Sequence, residues 1–449
     1  MNPQAFIASL SFDIRLAPYD IAGSIAHARM LAKCRIIPAR DAKRIVTGLE
    51  AIARDLDRGK RLPPEEDIHY AIERELIRRI GPVGGKLHTA RSRNDQIALD
   101  LRLYLRAQVE LIVQEIVRLQ TAIIGVAEAN SDVVMPGFTH VQHAQPVLFA
   151  HHILAYAWML ERDKGRFLDG LKRAVEMPLG SAALAGTSFP IDRRFVAKQL
   201  GFTKITANSI DTVSDRDFLV EFISASSLVM MHLSRLAEEL ILWSSSEFNM
   251  IRLQTEFTSG SSIMPQKRNP DVAEIIRGET GRIYGNLIAL LTILKGLPLS
   301  YNRDLQEDKP PFFDTVDTIQ GCLAVTGPML ATMTLRADRM RALCDKGHLA
   351  ATELADYLTE QGVPFRKAHG VVKRIVAYCE TQHIRLDELT LEELKRFDAS
   401  FDAGALQRLS IDQVVHVKDS EGGTSPRRVR QQISQLRKLV ARKTSSSRY

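Results

Sequence analysis

Apolar residues recur every three or four positions along most of the chain, and strict alternation is scarce. The pattern is that of long amphipathic helices, so the predicted class is all-α. The longest stripe runs through Ile97, Leu101, Leu105, Val109, Ile112, Ile116, Leu119 and Ile123. It predicts a helix starting at Asn94 or Asp95 and stopped by Pro136-Gly137. After a turn over 138–142, Pro146 suits the first turn of a second helix carrying Phe149, Ile153, Tyr156, Leu160, Phe167, Leu171 and Val175. A third stripe opens at Ser214 or Asp215 and runs through Phe218, Phe222, Leu228, Leu233, Leu236, Leu240 and Trp243, with no Gly or Pro from 202 to 259. A helix of roughly 35 residues there is about 50 Å long. A fourth pattern follows Pro270, with Gly278, Gly281 and Gly285 on adjacent turns. A fifth starts near Pro310-Pro311 and runs to about Arg336.

Short helical patterns flank this block. Before Leu87, Asp20, Ser24 and Asp41 are candidate caps, while Pro38 and Pro63-Pro64 mark breaks. After Leu343 the patterns shorten again, with a break at Glu360-Gln361-Gly362-Val363-Pro364. The expected organisation is a helical domain over 1–90, a long-helix bundle over 91–342 and a small helical domain over 343–449. Val229-Met230-Met231 and Ile241-Leu242-Trp243 make the third helix apolar on more than one face. Helices of that kind need several neighbours, which predicts oligomerisation through the bundle.

Composition narrows the class further. The chain has 449 residues, 45% hydrophobic and 25% charged, as in ordinary globular proteins. The net charge of +7 comes from basic residues interspersed with acidic ones. Only the end accumulates them (Arg427, Arg428, Arg430, Lys438, Arg442, Lys443, Arg448), and this is expected to be a solvated helix end and a frayed terminus. Neither a nucleic-acid stripe nor a membrane span is expected; Val147 to Leu160 is the apolar run nearest a span, and His151 and His152 interrupt it. Cys34, Cys322, Cys344 and Cys379 form no CxxC pair, which suits a reducing, cytoplasmic compartment without disulfides or zinc. No signal peptide is evident. Gly81-Pro82-Val83-Gly84-Gly85-Lys86 is not a P-loop, because Leu87 stands where Ser or Thr should hold magnesium.

Four polar loops lie at the ends of the long helices: 89–95, 139–145, 259–271 and 301–309. They supply Ser, Thr, Asn, Gln, Arg and Lys, an inventory that binds carboxylates and stabilises an anion. They lack the clustered His, Asp and Glu of a metal site, and no Gly-x-Ser-x-Gly elbow appears. Taken one at a time, the residues have ordinary roles too. Asn94 can be an N-cap, Arg91 and Arg93 can cap carbonyls or pair with acids, and Lys267-Arg268 can be a solvated pair.

Together they resemble the argininosuccinate lyase branch of the fumarase/aspartase superfamily. Gly260-Ser261-Ser262-Ile263-Met264-Pro265-Gln266-Lys267-Arg268-Asn269-Pro270 matches the superfamily's signature loop, with Gln266 in the form of this branch. His88-Thr89-Ala90-Arg91-Ser92-Arg93-Asn94-Asp95-Gln96 and Tyr301-Asn302-Arg303-Asp304-Leu305-Gln306-Glu307-Asp308-Lys309 are more specific to it. Family members usually carry a Trp-Gly-Gly-Arg-Phe-containing segment ahead of the part matching Phe6 to Leu16. This sequence starts inside that region, so weaker ordering of the N-terminal substrate loop is expected.

The resemblance implies a three-domain, all-α fold, a homotetramer with a shared central bundle, and active sites built from three chains. It implies cleavage of argininosuccinate to arginine and fumarate, the last step of arginine biosynthesis, without cofactor or metal. Ser261 is then the base, supported by Lys267, loop N–H groups and Asn269. His140 pairs with Glu274, which raises the histidine pKa. Ser9, Asp13, Arg91, Ser92, Arg93, Asn94, Thr139, Tyr301, Arg303, Gln306 and Lys309 fall at substrate-binding positions. The alternatives are a lyase for another N-substituted aspartate and a catalytically silent, crystallin-like scaffold.

Overall fold

The computed structural model describes residues 2–442, and the tail residues Lys443 and Arg448 lie outside them. Helices of ten residues or more are numbered. Three form the N-terminal unit: α1 (Ala17–Lys33), α2 (Ala39–Asp57) and α3 (Ile68–Ile80). Five long helices follow: α4 (Arg93–Ala129), α5 (Phe149–Ala174), α6 (Asp217–Ser244), α7 (Asp271–Leu294) and α8 (Lys309–Thr332). They pack in sequence order into a closed bundle, with α8 returning against α4. α4 opens on a capping box in which Asn94 N–H donates to Ser92 Oγ at 3.3 Å and Ser92 N–H donates to Asp95 Oδ1 at 3.0 Å. The predicted stripe of α4 is buried throughout.

The all-α expectation holds, and the departures from the predicted elements have local causes. Pro146 lies in a strand, not a helix. β1 (Val134–Thr139) and β2 (Gln142–Leu148) form an antiparallel hairpin in which Pro136 faces Pro146. A two-stranded hairpin has only edge strands, so prolines cost it no ladder bond on the open side. The third long helix has 28 residues rather than about 35, because extended Asp215 separates it from a short helix, Ser209–Ser214, capped by Asn208. Asp20 and Ser24 are not caps; both are buried inside α1.

α6 also has the composition of a membrane span, in place of the run at 147–160, yet most of its apolar window is buried in the bundle. Val229, Met230 and Trp243 are covered within one chain, whereas Met231, Ile241 and Leu242 are only partly buried. The uncovered face belongs to α7, where Ile275 (64% exposed) and Ile288 (61% exposed) stand with Tyr284 and Leu291. A Cβ on Gly278, Gly281 or Gly285 would meet nothing within 4 Å, so these glycines permit no close approach inside the chain.

Beyond α8, α9 (Ala351–Glu360) and α10 (Phe365–Gln382) lead a second hydrophobic cluster running from Ala350 to Val414. The last helix, α11 (Pro426–Ala441), turns Val429, Ile433 and Leu436 into the main core and exposes Arg427, Arg430, Arg437 and Lys438. All four cysteines are free.

Candidate active site

At the N-terminal end of α4, eight of the residues proposed from sequence line one cavity of about 160 Å³: Ser9, Asp13, Arg93, Asn94, Tyr301, Arg303, Gln306 and Lys309. The capping box places Asn94 there, and its Nδ2 donates to Ala183 O at 3.0 Å. Asp95 fixes the same corner from below. Its carboxylate accepts N–H bonds from Gly180 (2.9 Å) and Ala182 (2.7 Å), and burial raises its pKa to about 6. The N-terminal segment closes the other side. Ser9 Oγ donates to Asp13 Oδ2 at 2.5 Å, and the backbone carbonyl of Ile7 accepts from Arg303 Nη2 (2.9 Å) and Gln306 Nε2 (3.1 Å). Burial raises the pKa of Asp13, against the pull of the Ser9 hydroxyl. Lys309 Nζ, itself buried, donates to Asp308 Oδ1 at 3.0 Å.

Arg91 and Ser92 do not line this cavity. Arg91 is buried and donates to Ser24 Oγ at 2.8 Å, and Ser92 is the helix cap, so both hold the loop in shape. Two lining residues that the sequence reading missed are Asp67 and His69. Asp67 caps α3 and accepts from Arg93 Nη1 at 2.9 Å. His69 Nδ1 lies 3.2 Å from both Asp20 Oδ1 and Asp100 Oδ2. The Asp-x-His spacing at a helix start was the available signal. These three residues offer three ligand atoms within 4.8 Å of one another, but the imidazole at hydrogen-bond distance from both carboxylates fills the position an ion would take.

The remaining predicted residues lie at the other end of the bundle. Thr139 and His140 sit at the tip of the β1–β2 hairpin, where two residues connect the strands. Both, His140 (φ 55°) and Val141 (φ 58°), are left-handed, the backbone sign of a type I′ turn. The signature loop is a second small hairpin, Ser259–Gly260 paired with Arg268–Asn269. Ser261 Oγ accepts N–H bonds from Met264 (3.0 Å) and Ile263 (3.3 Å). Asn269 Nδ2 points at Ser259 Oγ at 3.5 Å. Lys267, Asn269 and Glu274 line a cavity of about 710 Å³ with Gln266 and Arg336. Among the described residues no hydrogen bond joins His140 to Glu274.

The 37 residues of α4 extend about 55 Å. The Asn94 cavity opens at its start, and the hairpin follows its end. Within one chain the predicted residues therefore fall into two groups too far apart to act together on one small molecule.

The class is given by a protein-family model described as Lyase, which matches residues 3–285 of this helical chain. A second, described as Argininosuccinate lyase C-terminal, matches residues 348–416. The argininosuccinate lyase of Syntrophus aciditrophicus is 54% identical over 435 residues, covering 96% of this chain and 92% of the relative. That of Syntrophotalea carbinolica is 52% identical over 436 residues, covering 97% and 95%. Among solved structures, EDDS lyase in complex with formate superposes with a TM-score of 0.88 at 27% identity, covering 98% of this chain and 88% of that one. The chain belongs to the argininosuccinate lyase family.

Proposed function

We propose that this protein cleaves argininosuccinate to arginine and fumarate by β-elimination, as a homotetramer whose active sites are shared between chains. The observation that carries the activity is identity above half, over nearly the whole chain, to relatives named for it. Elimination removes a proton from a carbon beside a carboxylate. The resulting carbanion must be delocalised into that carboxylate, which then carries two negative charges, and a base must stand within reach. Ser261 is the base. Two N–H donors on its Oγ favour the alkoxide, as they would any oxyanion. Lys267 and Asn269 lie in the same loop and face the developing charge. The leaving guanidine departs protonated, because free arginine has a pKa of about 12.5–13.8. His140, paired with Glu274 in the assembled site, attends that nitrogen. Ser9, Asp13, Arg93, Asn94, Thr139, Tyr301, Arg303, Gln306 and Lys309 bind substrate, while Arg91 and Ser92 shape the loop.

The same geometry supports assembly. Other chains running antiparallel bring a hairpin from one and a signature loop from another to the Asn94 cavity of the first, and the bare apolar stripe of α7 offers a surface for that contact. The likeness to EDDS lyase favours, as a second reading, elimination from another N-substituted aspartate. The test is fumarate release, followed by ultraviolet absorbance, from purified protein given argininosuccinate or other N-substituted aspartates. Argininosuccinate-dependent fumarate with stoichiometric arginine is expected. Fumarate from the other substrates alone would establish the second reading instead.

A further inference from the structure

We infer that Arg216 is a positioning residue for substrate binding. It occupies one oxygen of Asp308, so that this carboxylate does not fully neutralise Lys309, and the cavity at the start of α4 keeps an uncompensated positive charge on its wall for a substrate carboxylate. The inference rests on the proposed argininosuccinate lyase activity and gives the charge of that site its source.

Arg216 stands immediately before α6 and Asp308 immediately before α8, and both side chains are 0% exposed. Arg216 Nε donates to Asp308 Oδ2, and Lys309 Nζ donates to Asp308 Oδ1 at 3.0 Å. One carboxylate is thus shared by two cations, one oxygen to each. The neighbouring acid does not take up the excess. Asp215 gives Arg216 only its backbone carbonyl, which accepts from Nη1 at 2.7 Å. Its carboxylate accepts from Arg102 Nη2 of α4 at 2.5 Å and from the Asp217 N–H at 2.7 Å. The other bond of Lys309 Nζ is to the Leu305 carbonyl, at 3.4 Å. Among the described residues, Arg216, Asp308 and Lys309 therefore form a buried trio with one positive charge more than its carboxylate balances.

The excess lies against the cavity, which Lys309 lines together with Tyr301, Arg303 and Gln306 of the same segment. The other charges on that wall are engaged: Arg93 with Asp67, Arg303 with Glu66, and Asp13 with the Ser9 hydroxyl and the Ile68 N–H. Burial raises the pKa of Asp13, which makes it a poor counter-ion for Lys309. The charge of Arg216 reaches the same wall. Burial raises the pKa of Tyr301 and Asp308 adds to the rise, whereas Arg303 and Arg216 oppose it. A buried charge in excess is costly unless a counter-charge completes it, and the attraction is strong where water is excluded. A substrate carboxylate is such a counter-charge. Without Arg216, Asp308 and Lys309 close into a neutral pair and that attraction is lost. The effect is one of field, so it needs no contact between Arg216 and the substrate.

The test is the steady-state kinetics of fumarate release from argininosuccinate by the full-length protein. Arg216→Met leaves the trio neutral and is expected to raise KM at least tenfold while kcat moves less than threefold. Arg216→Lys keeps the charge, and its KM should stay within threefold of wild type. The double variant Arg216→Met/Asp308→Asn removes one charge of each sign and so restores the excess. Its KM should fall back to within threefold of wild type, although two buried partners are gone. A merely structural Arg216 predicts the reverse. A double variant no better than Arg216→Met therefore overturns the inference, as does an unchanged KM in Arg216→Met or a loss carried in kcat instead. Should Arg216→Met fail to fold, the double variant decides alone: a KM within threefold of wild type upholds the inference, and a higher one overturns it. A wild-type protein that releases no fumarate from argininosuccinate defeats the activity itself, and that is seen before any variant is made.

Discussion

Ser261 and His27 show how single residues here depend on backbone groups. The Ser261 oxygen has two N–H donors and no acid or base among its hydrogen-bond partners, so the proposed role as base rests on these donors stabilising the alkoxide. Ser261→Ala is expected to lower kcat by at least about a hundredfold, the scale of a lost general base, with assembly unchanged by sedimentation. Near-native kcat would remove Ser261 from the role. His27 lies under the 89–95 loop, where its Nε2 meets Thr89 O at 2.8 Å. Burial, then the charge of Arg91, lowers its pKa to about 3. The unfolded chain therefore binds a proton below about pH 6.5 that the folded chain refuses. Stability from this group is complete above that pH and is lost as pH falls toward 3. His27→Gln should flatten this part of the acid side of a melting-temperature profile; an unchanged profile would show that His27 is not held neutral.

The elements proposed to carry the chemistry are short and backbone-determined. At the tip of β1–β2, Val141 is β-branched with φ 58°, a conformation that costs about 1–3 kcal/mol. The hairpin register and the packing of Phe138 on His143 and Phe248 hold it there. Val141→Gly is expected to stabilise the fold by about 1 kcal/mol in urea unfolding and to lower kcat, because the freed turn no longer places Thr139 and His140. Higher stability with unchanged kcat would mean the strain has no catalytic purpose. The hairpin was hidden in the sequence because Pro146 reads equally well as a helix start. The two-residue strands around Ser261 are too short to leave an alternating pattern.

For the whole molecule, the decisive feature is length. If the two residue groups at opposite ends of a bundle about 55 Å long serve one site, as proposed, more than one chain must supply it. Ser261→Ala and Lys309→Ala, each inactive alone, should regain activity when refolded together, since mixed assemblies contain sites with both residues intact. No recovery would place the whole site in one chain. Ile288→Asp puts a charge in the apolar stripe of α7 and is expected to yield smaller species in sedimentation, with activity lost in proportion.

The sequence by itself determined the helical class, the five long helices and the loops between them, because these rest on local periodicity and on Gly, Pro and cap residues. It also marked eight of the residues that converge on the Asn94 cavity. Burial and distance belong to the tertiary structure. Only the packed bundle showed that α6 is mostly covered while one face of α7 is bare, because an apolar stripe in sequence does not say which neighbour meets it. Only packing brought Asp20 and Asp100 onto His69 from helices far apart in the chain. Only the length of α4 showed that the predicted residues form two groups and not one.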